Sequence, residues 1–520
     1  MTSSLLSLSN LITSSVIALE KACADANLPF PSLDEPFSHA SEAFRANPAA
    51  EEATKVIAAA AHQLMVMVLP PSAALYNLIS GQFKTAALRV CLEASVTEIL
   101  REGGPQGMHV KDIAAKANID SEELGGLLCS LFFCRCFLLK TTASTYLATH
   151  HVYKEVLPDV FANNRVSSML DTGKAVHEIH ASPENKHENT PGFAAIAGHH
   201  LDEVFKSSTY LWENMSDPTT ANSLEANETP LNRAFNLTGT FWTLLGQPDQ
   251  AYRQRRFGIG MKGVAALEPA DAILKAFDWN SLPKDSVVVD VGGGVGASSL
   301  TLAKNVPDIR IVVQDLPAVI GEGTIPVCVK IDPSHTKLTM PFKFWFKQMP
   351  DALASGQVTL QDTMSKRVLT WYHEAHDFFT PQPIKNASVF LLKQIMHDWS
   401  DPYAVKILTQ LRQAAQPDTK LILIDSVMPF ACHDPSADDG KGIPGAVPKE
   451  APNPLLANYG VANELSYIAD LTMLVLFNSQ ERTVKHLSEM LHSTGWRLTK
   501  VIRDHAAGSF LQPVEAVPII

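Results

Sequence analysis

The sequence predicts an α/β protein in which a doubly wound sheet domain follows a mainly helical one. Three observations carry this. Over the first 230 or so residues, apolar side chains recur three and four apart, as in "ATKVIAAAAHQLMVMV" and "FKTAALRVCLEASVTEIL", which is the helical period. From about Phe241, short β-branched runs alternate with helical patterns, the grammar of a parallel sheet covered on both faces. The run "SVVVDV" (286–291) ends in "GGGVG" (292–296), and a helix opens directly at "ASSLTLAKN".

The amino-terminal elements come first. "MHVKDIAAKANIDSEELGGLL" pairs two short helices, with Asp120 or Ser121 as the N-cap of the second. This is helix-turn-helix grammar, but the second helix offers two glutamates where DNA contact would need basic residues. A structural or dimerising role fits better. A net charge of −12 also argues against nucleic acid or an anionic membrane as partner. The apolar window "VIAAAAHQLMVMVLPPSAALYNLI" is interrupted at His62, Gln63, Pro70 and Pro71, short of the ~20 residues that a bilayer requires. The first residues lack the basic and apolar regions of a secretory signal, so a cytoplasmic protein is expected. Seven cysteines without a C-x-x-C pair suggest neither a disulfide framework nor a zinc site. "HEIH" (177–180) lacks a third ligand nearby, and the pairs His150–His151 and His199–His200 are read as surface.

The sheet elements follow. After "RIVVQD", which ends on Asp315, comes "SVFLLKQI" (388–395), then a helix with Asp401 as candidate N-cap and Val405, Leu408 and Leu411 on one face. "LILIDSV" is the next strand, and "GWRLTKVIRD" and "AVPII" are read as late edge strands. Residues 430–460, rich in Pro, Gly and Asp, read as a long loop.

In a doubly wound sheet, ligands bind beyond the carboxyl ends of the strands. Glycines at 292, 294 and 296 let backbone N–H groups approach a ligand closely, and Asp315, at the end of the next strand, can accept both hydroxyls of a ribose. A nucleoside-containing cofactor is implied. The glycines alone fit either a dinucleotide or S-adenosylmethionine. His397 lies two residues past a predicted strand at the same sheet edge, with Asp425 ending the neighbouring strand. An imidazole oriented by a carboxylate is suited to general-base work. The plainer alternative is a histidine that caps the following helix.

Three ordered stretches then carry a family resemblance: "VVVDVGGGVGASSLTLAKNVPDIRIVVQDLPAVI", "AHDFFTPQPIKNASVFLLKQIMHDWSD" and "FNSQERT". Together they resemble the caffeic-acid-type S-adenosylmethionine-dependent O-methyltransferases, especially fungal secondary-metabolite members, from about residue 75 onward. The resemblance implies a winged-helix-like dimerisation domain over 1–230 and a Rossmann-like methyltransferase domain over 231–520. It implies His397 as the base that deprotonates a phenolic hydroxyl, with Asp425 and Glu481 flanking it; Asp425 stands where many plant relatives carry the longer Glu. It puts Gly292, Gly294, Asp315, Asp377, Phe378 and Lys393 on S-adenosylmethionine, and Phe257 and Met261 on the ring of a small aromatic acceptor. It also implies a homodimer and no metal. Against the family pattern the chain carries extra residues near 129–146, 324–342 and 362–374, which hold four of the seven cysteines. They read as surface loops or as retained introns, and their lack of pattern favours introns. The rival readings are a non-methylating enzyme such as a pericyclase on the same scaffold, a catalytically silent dimeric scaffold, and a nicotinamide-dependent dehydrogenase.

Overall fold

A computed structural model describes residues 4–117, 144–265, 268, 269, 271–317, 319, 371–435, 442–503 and 510–520. It divides into two compact units. The first comprises residues 1–269, 430–433 and 449–478; the second comprises 270–429, 434–448 and 479–520. The boundary expected at 230/231 thus falls inside the first unit. Helix Ala251–Ala265 packs along Phe193–His199, and Val475, Leu476 and Phe477 bury with Leu231, Phe241 and Leu244.

The first unit is mainly helical. It contains a small antiparallel sheet of β1 (Met108–His109), β2 (Tyr153–Leu157) and β3 (Val160–Asn163), in the order β1-β3-β2. Helix Val110–Lys116 supplies the first half of the helix-turn-helix pattern; the second half lies outside the described residues. Pro70 and Pro71 break the apolar window as expected, leaving helices Pro48–Val68 and Pro71–Ile79 bent by 117°. Among the described residues, Gly460–Phe477 is the one unbent segment long and apolar enough to cross a membrane, and its last three residues belong to the unit's core.

The second unit is built on seven strands: β4 (Val287–Val291), β5 (Arg310–Asp315), β6 (Trp371–Ala375), β7 (Ala387–Lys393), β8 (Lys420–Asp425), β9 (Trp496–Val501) and β10 (Gln512–Pro518). Their order is β6-β5-β4-β7-β8-β10-β9. The first five are parallel; β10 runs antiparallel to both β8 and β9. The late strands therefore differ from expectation, because only β9 is an edge and β10 closes the gap beside β8. Alternation explains why this sheet forms. Val289, Val291, Phe390, Leu392, Leu421 and Leu423 enter one core, while Val288, Val313, Val389, Leu391, Ile422 and Ile424 enter the core on the opposite face. Each such side chain contributes about 1.5–3 kcal/mol when buried, so a charge at Leu391 would break the sheet at its centre.

The sequence reading of the third extra segment needs correction at its end. Residues 371–374, within the run read as patternless, are strand β6, paired in register with β5 from Ile311↔Trp371 to Asp315↔Ala375. An edge strand with Tyr372 46% exposed needs no two-faced apolar pattern, which is why none was visible. Likewise residues 144–146 of the first segment begin a helical turn whose Leu147 is buried in the first unit's core. The rest of the three segments lies outside the described residues.

Candidate active site

The strand order reverses between β4 and β7: β5 and β6 lie to one side, β8 to the other. Crevices at such switch points, beyond the carboxyl strand ends, hold ligands. The residues singled out in the second unit collect at these strand ends. Gly292, Gly294 and Gly296 all adopt positive φ (71°, 57° and 77°). At Gly292 the space is closed as well, since a Cβ would stand 2.6 Å from Ile395 Cδ1 and 3.6 Å from the ring of Phe378. The turn aims its backbone at Asp315, whose Oδ2 accepts the Gly294 N–H at 2.8 Å while Oδ1 accepts the N–H of Leu316 at 2.7 Å.

Under the glycine turn, Asp290 is buried and accepts the Ser299 hydroxyl at 2.5 Å. Burial raises its carboxyl to about 6, against the opposing pull of Ser299 and Lys393. Lys393 ends β7, with Nζ 3.3 Å from Gln394 Oε1. Asp377 uses its carboxylate locally, accepting the N–H of Phe379 at 3.0 Å in a tight turn that presents Phe378. Phe378 in turn meets Trp399 edge-to-face at 5.7 Å. A glycine turn closed to a side chain at Gly292, an acidic strand end and an aromatic ring beside it fit the nucleoside of S-adenosylmethionine.

His397 is delivered by a short turn, Met396–Asp398, that leaves β7 through Gln394 in a left-handed conformation (φ 54°). His397 is 9% exposed. Its Nδ1 lies 2.7 Å from Glu481 Oε1, so the carboxylate accepts from Nδ1–H and Nε2 is left outside that bond. Nε2 stands 3.6 Å from Asp398 Oδ1, too long for a hydrogen bond. Asp425 is buried close by and makes no hydrogen bond to the ring; of the two flanking acids, Glu481 makes the contact. Burial of the ring opposes its charge, yet Glu481, Asp398 and Asp425 together raise His397 to about 10. Burial raises Asp398 to about 6 and Asp425 to about 7, both against the pull of His397.

Sequence reasoning missed the clamp on this turn. Ser479 donates its hydroxyl to the carbonyl of His397. Arg482, 3% exposed, donates to the carbonyls of Met396 (2.7 Å) and Trp399 (2.6 Å) and to Asp401 Oδ1 (2.9 Å). The motif "FNSQERT" contained both gripping residues, but their partners are over 80 positions away. Asp401 itself is not the N-cap of helix Asp401–Ala414; Ser400 occupies that position, and the Asp401 carboxylate holds Arg482 and His486 (2.8 Å) instead.

Phe257 and Met261 stand one turn apart on helix Ala251–Ala265 of the first unit. Phe257 joins an aromatic cluster with His199 (5.3 Å), Phe241 (5.2 Å) and Trp242 (5.8 Å), and Met261 is 38% exposed. His199, expected at the surface, is buried, with Nδ1 3.1 Å from Glu203. It sits in a helix whose next turn, His200–Val204, is a π-turn that rotates both Asp202 and Glu203 inward, an effect that residue spacing does not reveal. Among the described residues no cluster of three or more side chains could hold a metal.

An O-methyltransferase domain model matches residues 212–336 and 343–444. The chain is 44% identical to the 4-O-methyltransferase 1 of Phanerochaete chrysosporium over 519 residues, covering 100% of both chains. Among solved structures it superposes on OxaC in complex with SAH and oxaline (TM-score 0.59, 17% identity, 98% of this chain and 100% of that one). A pericyclic reaction enzyme superposes comparably (TM-score 0.58, 15% identity, 90% and 94%), so likeness of fold alone does not separate methyl transfer from its rivals.

Proposed function

Because the chain belongs to the O-methyltransferase family, we propose that His397 is the general base of its reaction, held by Glu481 and surrounded by Asp398 and Asp425. The protein is an S-adenosylmethionine-dependent O-methyltransferase that methylates a hydroxyl of a metabolite; the nicotinamide reading of the glycines is set aside by the same match. The cofactor supplies an electrophilic methyl group. Gly292 and Gly294 would bring backbone amides to it, Asp315 its ribose contact, Asp377 and Phe378 its adenine contact, and Lys393 the contact near the opposite end.

The acceptor we propose is a small aromatic secondary metabolite with a phenolic hydroxyl. A free phenol titrates near 10, and the ring of His397 is raised to about the same value, so a proton passes between groups of matched affinity. The site must first lose one proton, and turnover therefore rises with pH toward that value. Holding the attacking oxygen in line with the methyl group supplies much of the remaining acceleration. Phe257 and Met261 would pack on the acceptor ring. The observation that carries this reading is the Nδ1–Glu481 bond, which leaves Nε2 to take the proton. His397→Ala should lower turnover by about two to four orders of magnitude while cofactor affinity stays near wild type. Near-normal turnover would return the histidine to a capping role and reject it as the base.

We also propose that the first unit is a winged-helix-like dimerisation domain, that the enzyme is a cytoplasmic homodimer, and that neither membrane nor nucleic acid is a partner. Leu75, Tyr76, Leu78, Ile79 and Phe83 are each more than 60% exposed on two consecutive helices, an apolar patch that a second copy would cover. Light scattering should give twice the chain mass at micromolar concentration; a monomer mass would refute the dimer.

A further inference from the structure

The turn that delivers His397 is gripped from outside by one short segment, residues 479–482. Ser479 donates to the carbonyl of His397, and Arg482 donates to those of Met396 at 2.7 Å and Trp399 at 2.6 Å. The same segment carries Glu481, which holds the ring itself. It is anchored to the sheet in turn, because the Met428 N–H donates to the Arg482 carbonyl at 3.1 Å and Val427 pairs with Arg482 just beyond β8.

Arg482 is the hub of this grip. Its buried guanidinium spreads over two carbonyls and Asp401 Oδ1, an arrangement that suits a planar, many-donor group and that a single ammonium cannot reproduce. Asp401 is fixed on its other oxygen by His486 at 2.8 Å. The turn needs such a hold. Gln394 leaves β7 at φ 54°, a left-handed conformation that a residue with a side chain keeps only where its surroundings impose it. None of these bonds is made to Nε2 of His397, so the effect of Arg482 on the reaction runs through the position of the ring.

We propose that Arg482, braced by Asp401, is a positioning residue for the base: it fixes the backbone of residues 396–399 so that the imidazole meets Glu481 and presents Nε2 to the acceptor. This rests on His397 being the base. In-line transfer tolerates little displacement, and a shift of about 1 Å can cost about 100-fold in rate.

The test is NMR titration of the His397 imidazole in wild type, Arg482→Met, Arg482→Lys, Asp401→Asn and Asp401→Ala, with methylation of phenol measured alongside. The sign of the shift separates position from charge. Removing a nearby cation would raise the ring's midpoint if charge alone mattered, whereas a turn that slips away from Glu481 lowers it. From a wild-type value near 10, the midpoint should fall by at least about 1 pH unit in Arg482→Met. It should fall in Arg482→Lys as well, which keeps the charge and loses the fork. Should both fail to fold, the aspartate variants carry the test. Asn and Ala remove the same charge, but the Asn oxygen still accepts from Arg482, so Asp401→Asn should stay closer to wild type than Asp401→Ala. Phenol turnover should drop at least about tenfold in Arg482→Met while S-adenosylmethionine affinity stays within about threefold. A midpoint raised or unmoved in Arg482→Met, or identical midpoints in the two aspartate variants, would overturn the proposal. Failure of the base assignment looks different, since His397→Ala would then retain turnover while these midpoint shifts persist.

Discussion

Among the described residues two histidine–glutamate pairs are buried, one in each unit, and their surroundings differ in charge. His397 meets Glu481 at 2.7 Å, and His199 meets Glu203 at 3.1 Å, each through Nδ1. Around His199 the acids are answered by cations: Arg256 bonds Glu203 (2.5 Å) and Asp202 (3.2 Å), Arg253 bonds both, and Arg89 and Lys206 complete Asp202. Around His397 the three carboxylates outnumber their cations, since Arg482 is directed to Asp401 and the loop carbonyls. An imidazole–carboxylate pair is therefore not in itself a catalytic base. The surplus of acid around the ring makes His397 strongly basic, whereas the first unit spreads its acids over a structural network.

The largest effect that would sharpen this contrast is on stability. Glu203→Ala leaves the buried Arg256 without its main partner and should cost about 3–5 kcal/mol in denaturant unfolding, with cofactor affinity unchanged in whatever protein remains folded. A loss under about 1 kcal/mol would break the comparison, because the network would then not be structural. Next comes Asp315→Ala, which removes the carboxylate held by the glycine turn and should weaken S-adenosylmethionine by about 1.5–3 kcal/mol in calorimetry. Unchanged affinity would move the cofactor away from β5.

What the sequence made legible, and what it did not, follows from range. The glycine turn, Asp315 and His397 lie at the ends of runs whose β-branched or apolar character is local, so their place at the sheet edge could be read directly. Trp371–Ala375 could not, since an edge strand exposes one face and shows no double alternation. The position of β10 between β8 and β9 depends on pairing with Leu421–Asp425, about ninety residues earlier, and no local pattern reports it. His199 looked like surface because its neighbour His200 shares its type and because a π-turn, invisible to a 3.6-residue count, sets its direction. Arg482 was in view but silent: an arginine beside a glutamate reads as an exposed charge pair until Met396 and Trp399 are seen to present carbonyls to it.

The smallest effect is a displacement on the pH axis. Glu481→Gln removes one carboxylate from His397, so the ring's ionisation should fall toward 6.5 and the rising limb of kcat/KM should move to lower pH with it. The sign for stability is set by the same shift. The raised His397 adds stability that is complete below 6.5 and is lost as pH climbs toward 10, and Glu481→Gln should shrink that window. The central claim is the acid surplus itself, and NMR titration of the His397 imidazole in wild type and Glu481→Gln tests it most directly. The account predicts a wild-type midpoint near 10 that drops by at least one pH unit in the variant. A wild-type midpoint at or below 6.5, unmoved by the substitution, would contradict it.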